Sequence, residues 1–458
     1  MFNHSEHFFL QSPRYTPLAA IFFVATLLQG CASAPTLPAK PVTETTAAAL
    51  SPWWRHFNDP LLSQLTEQAL QANTSIRSAQ AALQQSRALR DVKSASLLPS
   101  LTASGSAQRA GTDATAASNS FRAGLDARWE LDVFGANQSA LNASEADTLA
   151  AQASLADAQV SVTAEVALAY IQLRGLQAQL TIAQNNLASQ QQTLQITEWR
   201  AQAGLITALE VAQARTAAEQ TQAQIPTLNA SLAKTRHSLA VLTGQRPLEL
   251  DALLTLKQPV PQTSLKLAQH IPAQTLRQRP DVRAAEQRIS AALARVSAAD
   301  AARYPSFNLG GSLGLSALTL AGLTSGASLA SSILGSISVP LLDAGVAKNQ
   351  VLAQEAALEQ ARATYQNTVL SALKDVEDAL ITLASDQQRQ LNLQSAADAA
   401  DNAAQMAMQR YTSGLIDFQT VLQTQRTQLS AQDNLASVQV DISSDHVRLV
   451  KALGGGWP

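Results

Sequence analysis

The chain has 458 residues, of which 46% are hydrophobic, 14% are charged and only 4% are aromatic, and its formal net charge at pH 7 is −2. So small a charge argues against the strongly basic surface that nucleic-acid binding normally requires. The single cysteine excludes an internal disulfide, and the six scattered histidines include no pair with the spacing of metal ligands. No catalytic arrangement of side chains is recognisable, so we predict neither an enzyme nor a cofactor or metal site.

The first 30 residues have the features of a secretory signal peptide. A weakly basic start precedes an apolar stretch at 17–30, whose length of about 14 residues falls short of the ~20 that span a bilayer. The stretch ends in Leu28-Gln29-Gly30-Cys31, which resembles a bacterial lipobox, and the usual sorting pattern associates Ala32 with the outer membrane. We therefore predict a signal peptide at 1–30, lipid attachment at Cys31 and a lipidated tether at 31–51. The alternative for a lone cysteine is a small buried hydrophobic residue.

Beyond the tether the sequence repeats itself at an offset of 210 residues. The repeat predicts two copies of one unit, at 52–250 and 251–458, each with a helix, two strands, a very long helix, a Gly-containing break and a return helix. The segments that match at this offset are Arg200–Leu205 with Arg410–Leu415 and Leu242–Gly244 with Ala452–Gly454, while Leu98-Pro99-Ser100 matches Tyr304-Pro305-Ser306 at 206.

Two regions, at about 98–130 and 304–342, predict pairs of β-strands. In both regions apolar side chains occupy alternate positions, and the stretch Phe307–Leu342 contains no charged residue at all. A period of two with one uncharged face is typical of strands that contact lipid on one side. In the first region the intervening positions are polar in the first strand and mostly charged in the second, which predicts that they face a water-filled lumen. These predicted lumen residues are Arg122, Asp126, Arg128 and Glu130.

Four strands are too few to close a barrel, which needs about eight. An open edge in lipid would leave backbone groups unpaired at several kcal/mol each, so we predict that other copies of the chain complete the barrel. The alternative is a half-buried hairpin in a soluble sandwich, which is disfavoured because no further strands are predicted. The glycines of Gly310–Gly314 superficially suggest a nucleotide loop, but no P-loop lysine follows them.

Long helices are predicted at about 137–243 and 345–453. Apolar residues step by three and four along them, which is typical of a coiled-coil seam. Each long helix turns at Gly204 or Gly414 and returns as an antiparallel partner. We also expect Pro280 to begin a helix with Asp281 in its first turn. The predicted fold is therefore mainly α with a small β part: a long antiparallel coiled coil with four transmembrane strands per chain.

Four motifs resemble the outer-membrane factor (TolC-like) family, and within it the NodT/OprM-like lipoprotein branch of tripartite efflux systems. The motifs are Trp53–Leu61, Leu276–Glu286, Tyr411–Gly414 and Ala452–Trp457. The resemblance implies a homotrimer with a twelve-stranded barrel in the outer membrane and a hollow α-barrel through the periplasm. It also implies a periplasmic adaptor (membrane fusion) protein at the helical tips and a proton-driven inner-membrane pump. The chain itself would be a passive, gated duct for small molecules, lipid-anchored in the bacterial outer membrane.

The resemblance places the gate in the return helices, just after the turn glycine of each repeat. At the positions where relatives commonly carry acids this chain has Thr420 and Gln423, while Arg426 matches a basic residue of the branch. Glu210 is the counterpart of Thr420 in the first repeat. A ring of three Glu210 side chains, linked to Arg426 or Arg215, could hold the tip shut. The alternative is that Glu210 is an ordinary solvated helix charge.

The turns of the two hairpins are the predicted contact for the adaptor. Each places two apolar residues after a turn glycine, and exposed apolar residues at a tip suggest a partner surface. The alternative is a hydrophobic contact that closes the helix C-terminus. The predicted contact residues are Gly204, Leu205, Ile206, Gly414, Leu415 and Ile416.

Two other functions share parts of this pattern. One is the outer-membrane duct of a type I protein or peptide secretion system, against which the lipobox and the run Leu276–Val282 argue. The other is a periplasmic coiled-coil lipoprotein without a pore. A structural rod of that kind needs no lipid-facing strands, so the alternating residues favour a duct.

Overall fold

The computed structural model describes residues 52–112, 115–263, 277–325 and 327–455. The predicted signal peptide, Cys31 and the tether lie outside the described residues. The described chain divides into two compact units. The strand unit comprises Lys93–Gln138 and Ala298–Lys348, and the helical unit comprises 52–92, Ser139–Ser297 and 349–455.

The strand unit contains one four-stranded antiparallel sheet. Its strands are β1 (Ser100–Thr112), β2 (Thr115–Leu131), β3 (Ser306–Ala317) and β4 (Ser328–Ser338), and they lie in chain order across the sheet. The predicted strands are confirmed in position, but β4 stops at Ser338 although the pattern predicted a strand as far as 342. Pro340 explains the early end, because proline has no amide hydrogen to donate to a strand ladder.

The register gives the sheet one apolar and one polar face. Leu125 of β2 pairs with Ala103 of β1 and with Leu313 of β3, whereas Arg128 pairs with Ser100 and Gly310. Apart from a register shift between Ala110 and Thr112, residues with odd numbers lie opposite one another across all four strands. Because side chains alternate between the faces of a strand, the apolar set shares one face and the charged residues at 122–130 of β2 share the other, whereas Arg109 of β1 falls in the odd-numbered set.

Eight helices account for most of the rest of the described chain. Helices α3 and α7 have 67 residues each, or about 100 Å at 1.5 Å per residue, and α4 and α8 have 35 each. None of the helices in the described ranges is both long and apolar enough to cross a membrane. The helices are α1 (Pro60–Ala72), α2 (Thr74–Ala95), α3 (Ala136–Gln202), α4 (Ala208–Leu242), α5 (Asp251–Leu254), α6 (Pro280–Ala301), α7 (Val346–Thr412) and α8 (Phe418–Ala452).

The motif Trp53–Leu61 packs against the middle of α3. Asp59 caps α1 by accepting hydrogen bonds from the amides of Leu61 and Leu62, at 2.9 and 3.0 Å. Its second carboxylate oxygen accepts from the hydroxyl of Tyr170 at 2.6 Å. The fully buried Arg174 in turn donates to the Tyr170 oxygen at 2.8 Å. This chain of hydrogen bonds gives the buried Arg174 guanidinium a polar partner and fixes the start of the helical unit on α3.

Two other motifs of the sequence meet each other. Pro280 begins α6 with Asp281 in its first turn, as predicted. The largely buried Arg279 donates to both carboxylate oxygens of Asp281, at 3.0 and 2.8 Å, and to the carbonyl of Ala452 at the end of α8, at 2.7 Å. In the first half, Asn73 donates to the carbonyl of Leu242 at the end of α4, at 2.8 Å. The same kind of contact therefore closes both return helices.

Candidate functional site

The two hairpin turns have the same backbone conformation. Gly204 and Gly414 have positive φ angles of 70° and 75°, which an L-residue adopts only with strain. The amides of Gly204 and Leu205 donate to the carbonyls three and five residues earlier, at 3.0 and 2.9 Å, and Gly414 and Leu415 repeat the pattern. This is the Schellman arrangement that ends a helix. The predicted role of both glycines in the turns follows directly from this geometry.

The leucines that follow the glycines face solvent. Leu205 is 72% exposed and Leu415 is 73% exposed, so little of either is covered by the hydrophobic contact that often accompanies this turn. Ile206 is only partly buried, whereas Ile416 packs against an apolar cluster at the base of the turns. The turns therefore present two equivalent exposed leucines, which remain predicted adaptor contacts.

The first helical hairpin, α3 and α4, packs against the second, α7 and α8, within one chain. An apolar cluster from α4, α7 and α8 includes Tyr411 and Phe418, whose ring centroids lie 5.9 Å apart. The guanidinium of Arg200, on α3, lies 4.3 Å from the centroid of the Tyr411 ring, and its Nη2 donates to the carbonyl of Thr412 at 2.8 Å. The side chain of Arg200 is therefore a charged tie between the first hairpin and the second, beside the neutral hydrogen bond that Gln419 donates to Gln213 at 2.7 Å.

Glu210 and Thr420, two of the predicted gate residues, occupy equivalent positions in the first turns of α4 and α8. The Glu210 carboxylate accepts hydrogen bonds from the hydroxyl and the amide of Thr207, the latter at 2.8 Å. At α8 the roles are exchanged, because Asp417 precedes the helix and accepts from the hydroxyl and the amide of Thr420. These hydrogen bonds hold the pKa of both Glu210 and Asp417 below its usual range. Each tip thus carries one carboxylate, and Asp417 was not foreseen.

The other predicted gate residues lie further along the hairpins. Gln423 and Arg426 are exposed on α8. Neither Glu210 nor Arg426 forms an ion pair with any residue in the described part of the chain. Arg215 is bound at 2.9 Å to Glu198 of α3, so within one chain it does not link to Glu210. Within the described chain, the predicted link from Glu210 to Arg426 or Arg215 is therefore not formed.

Two features of the hairpins were missed by the sequence analysis. Trp199 and Leu209 are 60% and 64% exposed on the first hairpin, and their counterparts at the offset of 210 are Gln409 and Gln419. The first tip is therefore more apolar than the second. The seam between α3 and α8 is polar although it is buried, and the amide of Gln425 donates to the Thr193 hydroxyl at 2.9 Å.

The predicted lumen residues share the polar face of the strand unit. Arg122, Asp126, Arg128 and Glu130 are exposed and all lie on β2. The hydroxyl of Ser104 donates to Asp126 at 3.2 Å. Among the residues that the structure describes, no group of three or more His, Cys, Asp or Glu side chains could hold a metal ion.

The chain is similar to outer-membrane proteins over most of its length. A family model described as outer membrane efflux protein matches residues 65–245 and 271–455. The chain is 33% identical over 422 residues to the pyoverdine export outer membrane protein OpmQ of Pseudomonas putida, with 88% of each protein covered. It is 30% identical over 411 residues to nodulation protein T of Rhizobium leguminosarum bv. viciae, covering 89% of this chain and 85% of that protein. The solved structure of the outer-membrane channel OprN has 37% identity and a TM-score of 0.84, over 90% of this chain and 96% of the other.

Proposed function

The chain belongs to the outer membrane efflux protein family and is an outer-membrane channel of tripartite efflux, and we propose that three copies of it form one continuous duct. In this proposal twelve strands close a barrel in the outer membrane, and the long helices of two related repeats in each chain line a tunnel through the periplasm. The duct performs no chemistry of its own. A periplasmic adaptor docks at the hairpin tips, a proton-driven inner-membrane pump supplies energy, and a lipid on Cys31 anchors each chain.

The sheet supports closure by neighbouring copies. Strands β1 and β4 are its two edges, so each leaves a row of backbone groups without a partner within the described sheet. The four strands have 11 to 17 residues, which is enough for the ~9–11 that a tilted strand needs to cross a bilayer. Pairing β1 of one copy with β4 of the next removes both edges at once.

The burial of α7 supports the same assembly. Helices α3 and α7 are equally long, yet 25 residues of α3 are buried in the single chain and only 11 of α7. Several large apolar side chains on α7 are more than half exposed, among them Leu370, Ile381 and Leu391. A helix of this length gains most of its stability from packing, so the free face of α7 is where a neighbouring copy would pack.

We place the gate at the hairpin tips. Arg200 ties the first hairpin to the second through Tyr411 and Thr412, so widening the tip by moving the second hairpin requires this contact to break. Glu210 and Thr420 shape the starts of the return helices, and Gln423 and Arg426 are exposed further along α8 and free to meet another subunit. The exposed Leu205 and Leu415, with Gly204, Ile206, Gly414 and Ile416 of the same turns, are the proposed adaptor contact.

The observation that carries the proposal is the alternation of an apolar face with a polar face, whose charges lie on β2, in a sheet with two open edges. Single-channel conductance of the purified, lipidated protein in planar bilayers, together with its native mass, tests it. We expect trimers that give discrete, small and rarely open channels. Monomers without conductance would refute closure of the barrel and indicate a periplasmic coiled-coil lipoprotein.

A further inference from the structure

The charged residues on the polar face of the sheet are confined to one strand and unevenly spaced. All four lie on β2, in the order Arg122, Asp126, Arg128 and Glu130, with Gly124 in the gap after the first. At about 3.3 Å per residue, Arg128 lies about 7 Å along the strand from each of two carboxylates, whereas Arg122 is about 13 Å from the nearest. Charges further apart than about 8–10 Å are largely screened at physiological salt. Arg128 is therefore neutralised by its neighbours and Arg122 is not.

The residues beside Arg122 on the other strands are small and uncharged. It pairs with Ser106 of β1 and with Ser316 of β3, and Ser316 pairs with Ser328 of β4. The hydroxyls of Ser316 and Ser328 lie 3.0 Å apart and form a hydrogen bond with each other, so neither is needed as an acceptor by the guanidinium of Arg122. Arg122 is exposed and forms no ion pair with any residue in the described ranges.

We propose that Arg122 is an anion-binding residue of the channel lumen, which takes the carboxylate groups of solutes. The proposal rests on the trimeric duct proposed above, in which three copies of Arg122 form one ring. A guanidinium presents a planar fork of donors that matches a carboxylate with two hydrogen bonds, and the hydroxyl of Ser106 can contribute a further donor. The other three lumen charges of the same strand, Asp126, Arg128 and Glu130, sum to −1, so this ring is the position on the polar face of the described strands where a positive charge has no carboxylate close by.

Citrate tests the proposal, because its three carboxylates suit a three-fold ring of arginines. We measure the conductance of open single channels while citrate is added on the side of the barrel hairpins, and we take the concentration that halves the current. Citrate is expected to block the native channel, and Arg122→Gln is expected to raise the half-blocking concentration at least tenfold. Arg128→Gln removes the same charge from the same strand and is expected to change it less than twofold.

Three outcomes would overturn the proposal. The first is a native channel that citrate does not block, and the second is an equal change in the half-blocking concentration for Arg122→Gln and Arg128→Gln. The third is an Arg122→Lys channel that citrate blocks as strongly as the native one, because lysine keeps the positive charge but loses the planar pair of donors. Channels that form in all of these cases leave the proposed function intact. An absence of channels from the native protein would instead contradict the proposed function itself.

Discussion

The tie between Arg200 and the second hairpin leads to a quantitative prediction for gating. Arg200→Gln removes a charge-assisted hydrogen bond to the carbonyl of Thr412 and a cation–π contact with Tyr411. A hydrogen bond to a charged group contributes about 1.5–3 kcal/mol, and an exposed cation–π contact about 0.5–1 kcal/mol. Arg200 is partly exposed, so the lower ends apply, and in the proposed gate the closed arrangement should lose about 2 kcal/mol per subunit.

A loss of about 2 kcal/mol corresponds to a change of about 30-fold in the closed-to-open ratio of each subunit. The assay is the open probability of single channels in planar bilayers, compared with the native protein. Arg410→Gln is the matched control, because Arg410 occupies the equivalent position at the end of α7, is exposed, and makes no ion pair in the described part of the chain. We expect frequent opening for Arg200→Gln and little change for the control.

An equal open probability for the two substitutions would refute this reasoning about the gate. The thermal unfolding midpoint of Arg200→Gln shows whether the altered protein is still folded. A folded protein whose channels stay closed would mean that contacts between subunits, and not this contact within one chain, hold the tip shut.

Two further predictions concern the helical unit. Burial raises the pKa of Asp445 to about 6, although Arg448 donates to its carboxylate at 2.7 Å. The folded chain therefore keeps a proton that the unfolded chain, with a pKa of about 3.9, has lost, so this group stabilises the fold as pH falls from about 6 to about 4. Asp445→Asn should therefore raise the thermal unfolding midpoint more at pH 7 than at pH 4, whereas Asp398→Asn, at an exposed position, should change it equally at both. An equal change at the two pH values for Asp445→Asn would contradict the raised pKa of Asp445. A lysine at position 279 cannot bind Asp281 and the end of α8 together, so Arg279→Lys should lower the free energy of unfolding by about 1–3 kcal/mol. Arg277→Lys should leave it unchanged, and equal unfolding midpoints for the two variants would count against this role of Arg279.

The sequence sufficed for features whose signal is local. The alternation along β2 predicted which side chains share a face, because parity along one strand is preserved whatever the register. The turn glycines and the start of α6 at Pro280 were predictable for the same reason, since each depends on a few neighbouring residues. The end of β4 was set too late, although Pro340 was there to indicate it.

Contacts between distant residues could not be read in this way. Tyr170 meets Asp59 across 111 residues of chain, and Arg200 meets Thr412 across 212, with no pattern that pairs them in advance. The carboxylate of the second tip was missed because the acid and the hydroxyl had exchanged places, from Thr207 and Glu210 at α4 to Asp417 and Thr420 at α8. At the aligned position, Thr420, there is no acidic residue, but the carboxylate of Asp417 is present three residues earlier.

The sparse burial of α7 has a consequence for the single chain. Before the proposed trimer forms, most of this 67-residue helix is in contact with water, and the composition of α7, rich in Ala and Gln with scattered charge, is compatible with that exposure. In the proposed trimer the seam between subunits would combine the many alanines of α7 with a few large apolar side chains such as Leu370, Ile381 and Leu391. Truncation of one of these large side chains should then weaken the assembly, and a bulky side chain in place of an exposed alanine should leave a well-folded chain as a monomer.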